Sequence, residues 1–375
     1  PPAAGAGAST QIRLRGQVGF TGSNNAPLIV INGLPMDQGA RGADGAQQRD
    51  RGDNLLNLNP DDIETMTVLK GSTASALYGS RAAAGAILIT TKSGGKNQNL
   101  GVEYTASYTA QEALNFMDQF QTMYGQGVGG RRPISTADAK GNGQFGFGER
   151  LDGVPTPIFD GTLQPYRAYE NRLFDYLQTG VNFTNTIALS GGSATGSFRA
   201  SFSNTDSKGI EPTNEYKRRI FNLGVNQNIT KKLKLSVNFN WANEDQINPP
   251  QIGQQGAGSV NFYTRLANSI PGSALKNSAV DPATGTENQT SGFQGTLLNP
   301  NYHIIAGQRW VNSRNRILGT ATLRYDFTKW LYLQGRYNLD YLQQETESKV
   351  PGGIGTSLFT NADGTYKGSY SYSQG

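Results

Sequence analysis

The sequence predicts a transmembrane antiparallel β-barrel, present in part, preceded by a small α+β domain. Three observations carry this: hydrophobicity alternates with period two after residue 97, connections alternate between short and long, and 48 of 375 residues are Gly against an average share of about 7%. Hydrophobic residues make up only 36% of the chain, and mean hydropathy is −0.51. The longest apolar run, residues 82–89, is far shorter than the roughly 20 residues of a spanning helix. A barrel strand escapes that test because only alternate residues face lipid.

Composition removes several chemistries. Without Cys there are no disulfides, thiolate zinc sites, thiol nucleophiles or Cys-ligated iron–sulfur clusters. One His, His303, rules out a His-rich metal cluster, and no cofactor is expected. The net charge of +5 comes from 33 basic and 28 acidic residues that are scattered, with Lys217-Arg218-Arg219 the tightest run, so nucleic acid is not an expected partner. Pro1-Pro2 and the following Ala/Gly stretch lack the basic-then-apolar pattern of a signal peptide, and a mid-chain start is expected.

Residues 1–96 read as the first domain, with residues 3–10 as a flexible lead-in. Residues 28–31 (LIVI) are apolar and mostly β-branched, and Asn32-Gly33 is a strong tight-turn dipeptide, so a buried strand and a turn are expected. In residues 59–94, NPDDIETMTVLKGSTASALYGSRAAAGAILITTKSG, Asn59 can cap a helix, Pro60 suits its first position, and Asp61 and Asp62 complement its positive end. A short helix should start there. A strand over 65–70, a break at Gly71, a second short helix over 72–78 ended by Gly79, and a strand over 86–91 should follow. Gly71, Gly79 and Gly85 permit the reversals between them.

Residues 97–375 read as the first seven strands of the barrel with long outer loops. Val102, Tyr104, Ala106 and Tyr108 alternate with polar neighbours, and Leu233, Leu235, Val237, Phe239 and Trp241 do so most clearly. The same pattern marks Phe198 to Phe202, Phe221 to Val225, Ala321 to Phe327 and Leu331 to Tyr341, with a less regular strand over 183–190. Connections at 191–196, 230–232 and 328–329 are short, whereas 112–181, 205–218 and 244–314 are long, as in outer-membrane barrels with short periplasmic turns and long external loops. Trp241 should sit at the outer end of its strand, and Phe327 and Trp330 should flank a periplasmic turn, giving two interfacial girdles. Seven strands leave two edges that cannot face lipid unpaired. A fragment is therefore expected, of a barrel with 22 strands if it has the size of plugged transporters.

These residues resemble the SusC/RagA-type TonB-dependent outer-membrane transporters of Bacteroidetes. The carrying segments are 13–16 (RLRG), 27–35 (PLIVINGLP), 59–64 (NPDDIE), 68–71 (VLKG) and 77–94 (LYGSRAAAGAILITTKSG). The signature residues are Arg13, Arg15, Gly16, Asn32, Gly33, Glu64, Lys70, Gly71, Tyr78, Gly79, Arg81 and Gly85. The resemblance implies a plug domain in the lumen, energised by the TonB complex. It further implies a SusD-like surface lipoprotein as lid, oligosaccharide or peptide as cargo, outer-membrane lipid around the wall, and location in the bacterial outer membrane.

A plug in a polar lumen needs small residues and hydrated charges. Arg13, Arg15, Glu64, Lys70 and Arg81 lie in the first domain, and Arg199, Lys234, Arg324 and Arg336 should point inward from strands, so plug charges are expected to pair with lumen charges. No Walker pattern follows Gly71, the acids Asp44, Asp50 and Asp53 lack calcium-loop spacing, and no nucleophile elbow accompanies His303. No catalytic site is read. Among aromatics of the long loops, Tyr166, Tyr263 and Trp310 are candidates for stacking on cargo, with anchoring of the loops themselves as the competing role. A surface β-rich glycan-binding module without transport, or a carbohydrate-active enzyme, remain alternative readings.

Overall fold

A computed structural model describes residues 5–9, 12, 14, 26–36, 49–50, 52–95, 99–114, 119–251, 259–290, 299–353 and 368–375. The first unit has a four-stranded sheet. Strand β1 (Leu28–Ile31) turns through Asn32-Gly33 into β2 (Leu34–Met36), and both turn residues have positive φ, 49° and 82°. That left-handed pair is what an Asn-Gly turn supplies. Two short 3₁₀ turns, Asn54–Asn57 and Pro60–Asp62, precede β3 (Ile63–Leu69), α1 (Gly71–Tyr78) and β4 (Ala86–Thr91). The helix expected at Pro60 is thus one turn only, because β3 begins at Ile63, two residues earlier than the sequence suggested. Gly79 ends α1 with φ 73°, which a residue with a side chain rarely adopts.

The sheet order is β2-β1-β4-β3, with β1 parallel to β4. β1 is buried on both faces, which explains its unbroken apolar run. Leu28 and Val30 pack with Ala74, Ala82 and Ala86 below α1. Ile29 and Ile31 pack on the other side with Met36, Leu58, Ile87 and Ile89.

The rest of the chain builds an eight-stranded antiparallel sheet and two folded loops. In chain order these are β5 (Gly101–Gln111), α2 (Thr136–Gly141), β6 (Pro155–Pro157), β7 (Leu163–Pro165), β8 (Gly180–Gly192), β9 (Gly196–Lys208), β10 (Glu215–Asn228) and β11 (Leu233–Ile247). Then come α3 (Ser259–Arg265), α4 (Gly272–Asn277), α5 (Pro300–Ala306), β12 (Arg309–Asp326), β13 (Tyr332–Val350) and β14 (Ser369–Gln374). The large sheet runs β14-β13-β12-β11-β10-β9-β8-β5. It has one strand more than the seven expected, because the SYSYSQ sequence of β14 alternates small polar and aromatic residues rather than polar and aliphatic ones. The strands also run further than their apolar stretches: β9 and β10 leave only 209–214 between them, where a long connection over 205–218 was expected. Trp241 accordingly lies within β11 rather than at its end.

Register explains both differences. Across seven strands, paired outward residues form the row Tyr104, Ile187, Phe202, Phe221, Trp241, Ile317, Tyr341. The next outward row toward the long loops is Ala106, Asn185, Asn204, Arg219, Asn243, Asn315, Gln343. Beyond it the row reads Tyr108 and Phe183 on β5 and β8 but Asp206, Lys217, Asp245, Ser313 and Glu345 from β9 to β13. On those five strands apolar alternation breaks at that line while pairing continues, as it does where a barrel wall rises out of hydrocarbon into water. At the other end Trp330 and Phe327 are exposed, and Tyr325 meets Phe327 edge to face at 4.8 Å. The buried face of the same strands is polar: Ser201, Ser203, Thr205, Asn240, Glu244, Asn312, Arg314 and Arg316. A soluble sandwich has the opposite arrangement, with apolar residues inside. No helix among the described residues is long and apolar enough to cross a membrane.

Candidate functional site

The polar inner face of the wall meets the first unit along a continuous seam. Asp53 caps the first 3₁₀ turn by accepting the Leu55 N–H at 3.0 Å, and Asn59 caps the second by accepting the Asp61 N–H at 3.2 Å. Both turns press on the wall. Asp62, 3% exposed, accepts a hydrogen bond from Ser201 Oγ at 2.6 Å and another from Asn222 Nδ2. Arg199, 7% exposed, sets Nη2 3.4 Å from Asp62 and Nη1 3.0 Å from Glu103 of β5.

Around this centre, wall side chains satisfy backbone carbonyls that the 3₁₀ turns leave open. Arg218 donates to Leu56 O at 2.9 Å, Asn240 to Asn57 O at 3.3 Å, and Arg314 to Asp53 O at 3.3 Å while also pairing with Glu244 at 3.3 Å. Asn59 Nδ2 donates to Thr186 Oγ1 at 3.2 Å. Toward the short turns, Asn226 Nδ2 reaches Ser93 Oγ at 2.7 Å and Ser197 Oγ reaches Ser93 O at 3.2 Å. Toward the long loops, the Ala6 N–H donates to Asn214 Oδ1 at 3.3 Å, and Arg49 donates to Pro249 O and bridges Gln251. One apolar wall residue, Leu318, enters the core beside Ile31 and Leu58.

Opposite charges do meet across the seam at Asp62 and Arg199, but the plug partner differs from those expected. Glu64, Lys70 and Arg81 are exposed and make no ion pair with the wall among the described residues. Lys234 and Arg324 both pair with Asp326 of the wall, each at 2.7 Å. Arg336 packs on Gly33, where a Cβ would come within 2.6 Å of Nη1. Asn32 holds Thr91, accepting from its N–H at 3.0 Å and donating to its Oγ1 at 2.9 Å. Tyr78 packs beside Leu28 and Val30, and Gly71 and Gly85 lie where a Cβ would press on the carbonyls of Ala83 and Leu69. Arg13, Arg15, Gly16 and Asp44 lie outside the described residues. Asp50 closes a turn, accepting from Ser9 N at 2.9 Å and Gly52 N at 2.8 Å.

The sequence reading missed Asp62 as the seam's anion. Asp61 and Asp62 are equivalent as helix-dipole partners, and only the one-turn length of the 3₁₀ segment rotates Asp62 into the wall. The strand periodicity was the available signal, since Arg199, Ser201 and Asn222 all fall on the polar face.

The long loops fold on a core of their own. Ile158, Phe159, Leu173, Phe262, Leu266, Ile270 and Leu275 bury together. The candidate aromatics are buried as well: Tyr166, Tyr263 and Trp310 are 2%, 1% and 4% exposed, Tyr263 within this core and Trp310 at the start of β12. They present no ring face to cargo in this arrangement, unlike the stacking role expected of them. Tyr166 donates to Gln126 O at 2.7 Å, and burial pushes its hydroxyl up to about 12. His303 is buried with Nδ1 against Gln308, and desolvation lowers it to about 4. Arg172 donates to the carbonyls of Tyr263, in the last turn of α3, and of Leu266 and Ala267 just after it, and burial lowers it to about 10.

Comparison with known proteins places this geometry. A family profile described as TonB-dependent Receptor Plug Domain matches residues 2–86. The TonB-dependent receptor SusC of Bacteroides thetaiotaomicron is 31% identical over 241 residues, 63% of this chain and 20% of that protein. The TonB-dependent receptor P26 of Formosa agariphila is 24% identical over 340 residues, 89% of this chain and 29% of that protein. The chain thus spans less than a third of the curated relatives it matches. A solved structure of the RagAB peptide importer in its open-open state superposes with a TM-score of 0.60 at 18% identity, covering 91% of this chain and 36% of that one. The fold is a plug with part of an outer-membrane β-barrel, and the resemblance to SusC/RagA-type TonB-dependent transporters holds.

Proposed function

We propose that this outer-membrane chain, similar to SusC/RagA-type transporters, supplies the plug (residues 1–96) and the first stretch of barrel wall (residues 97–375) of a TonB-dependent importer of oligosaccharides or peptides. The TonB complex would act from the periplasmic side, and a SusD-like lipoprotein would cover the long loops. The signature residues Asn32, Gly33, Gly71, Tyr78, Gly79 and Gly85 form the plug's framework in this reading, and Arg13, Arg15, Gly16, Glu64, Lys70 and Arg81 complete its signature. No catalytic role is assigned to any residue.

The observation that carries the reading is the character of the seam. Plug and wall touch mainly through hydrogen bonds and ion pairs, with apolar contacts from Leu318 in the plug core and from the Tyr216 ring against Gly7. Each such bond contributes only about 1 kcal/mol net, because water can replace the partner. A pull can therefore open the seam bond by bond as water enters, whereas separating a dry apolar interface would expose all of its area to water at once. Peptide is kept as cargo because a structural neighbour is described as a peptide importer, and oligosaccharide because the resemblance to SusC/RagA-type transporters implies it.

The test is uptake by the full-length protein in outer membranes, with and without functional TonB. Accumulation of an oligosaccharide or peptide that depends on TonB supports the reading. Accumulation that is indifferent to TonB, or specific binding of cargo without any accumulation, overturns it.

A further inference from the structure

The folded loops form a half-open hollow of about 140 Å³ that none of the roles above uses. A cavity of about 150 Å³ accepts one six-membered ring. Its floor is buried: Arg172, Leu266 and Ala267. Phe120, Glu170 and Arg265 are exposed and form its rim. Three side-chain amides, Gln121, Gln144 and Asn268, line the space between. A ring-sized hollow with an aromatic edge and several amides is suited to a sugar, whose C–H face packs on an aromatic ring while its hydroxyls both donate and accept.

Two details point to a charge on that sugar. Arg172 is 2% exposed, its three hydrogen bonds go to carbonyls, and among the described residues it has no ion pair with a carboxylate. Its Nε is buried without a hydrogen-bond partner, whereas the likewise unpartnered Asn268 Oδ1 is an acceptor suited to a sugar hydroxyl rather than to the anion. Arg265 adds a second cation at the rim, with no ion pair among the described residues. Glu170 is the one carboxylate lining the cavity among the described residues, and its exposure leaves it screened by water. A buried cation without a counter-charge favours an incoming anion, and Arg binds carboxylates with a fork of donors.

We propose that this cavity is a cargo subsite for one carboxylate-bearing pyranose residue of an oligosaccharide, held by Arg265 and the field of Arg172 and oriented by Gln121, Gln144 and Asn268. This rests on the importer reading and names its substrate class. Peptides are less suited to the site because it is a ring-sized hollow rather than a strand edge that could pair with an extended backbone.

Gly146 gives the decisive variant. It lines the cavity, its φ is not in the left-handed region, and a Cβ there would meet only Gln121 Nε2, at 3.6 Å. Gly146→Phe should therefore fill the hollow without straining the backbone. Calorimetric titration of the full-length protein in detergent would use a glucuronate-containing disaccharide, its neutral glucose counterpart and an acidic dipeptide. The expected result is a preference of about tenfold or more for the acidic over the neutral sugar. Arg265→Gln should remove that preference, and Gly146→Phe should remove binding of both sugars.

Equal affinity for the two sugars overturns the charge assignment. Tighter binding of the dipeptide overturns the sugar assignment, and undiminished sugar binding by a folded Gly146→Phe protein overturns the location. TonB-dependent uptake of cargo measured on the same protein separates the two readings. If it persists while neither sugar binds, the subsite falls and the importer reading stands. If uptake ignores TonB while the acidic sugar binds as described, the importer reading falls and the subsite stands.

Discussion

Asp62 and Arg199 face each other across the plug–wall seam at 3.4 Å, both almost wholly buried, and Arg199 extends the contact across β8 to Glu103 on β5. A buried pair of this kind is sensitive to loss of one member, because the survivor is left charged in a poorly hydrated place.

Asp62→Ala should loosen the plug by about 3–5 kcal/mol, since Arg199, Ser201 and Asn222 all lose their shared acceptor. Faster proteolysis of the plug in the folded full-length barrel, with raised conductance in planar bilayers, is the expected readout. Unchanged protease resistance would show that the neighbouring carbonyl contacts hold the plug without it.

Arg49 ties the plug to the start of the long loop at Pro249 and Gln251. The chain has no Cys, so a pair introduced by Arg49→Cys and Gln251→Cys reports on itself alone. Bridge partners of antiparallel strands lie about 4.5–5.5 Å apart at Cα, within disulfide reach. Oxidation should stop TonB-dependent uptake and reduction should restore it. Uptake that continues in the oxidised protein would mean that the plug works without parting from this loop.

His303 predicts an acid-sensitive loop core. Its folded-state value of about 4 lies below the ordinary value of about 6.5, so an opened or unfolded loop binds more protons between those limits. The stabilisation is complete above about pH 6.5 and declines as pH falls toward 4, by up to about 3 kcal/mol. Hydrogen exchange of α5 should quicken over that window in the parent protein, and His303→Gln should flatten the dependence. An equal pH response in both proteins would assign it elsewhere.

Phe239 stands on the outward face of β11, in the apolar band one step below Trp241. Phe239→Arg should impair folding into lipid vesicles by about 2–4 kcal/mol, the cost of a cation near the middle of the bilayer. The neighbouring inward Asn238 is the control: Asn238→Gln keeps an amide on the lumen side and should fold as the parent does. Equal losses from both would place that strand away from lipid.

Local chemistry made much of the plug readable in advance. Strands β1 and β4 and the Asn32-Gly33 turn fall where composition put them, because two-sided burial demands an unbroken apolar run and a left-handed turn demands Asn or Gly. The wall was legible for the same reason, since lipid on one side and a polar lumen on the other enforce period two. What was not legible was every feature that depends on a partner distant in sequence. The polar upper halves of the strands carry no hydrophobic signal, so their extent follows from pairing alone. Aromatic side chains in a loop look the same whether they bury or bind, and Tyr166, Tyr263 and Trp310 bury.

The residues by themselves determined that this chain forms two-faced ribbons behind a glycine-rich α+β unit, because alternation and turn chemistry are written in neighbouring side chains. Only the tertiary structure decided which charges join the two parts. Asp61 and Asp62 are adjacent and alike, and a single 3₁₀ turn directs Asp62 toward Arg199, 137 positions along the chain. Contacts of that range are set by how the plug seats against the wall, a geometry no local pattern encodes.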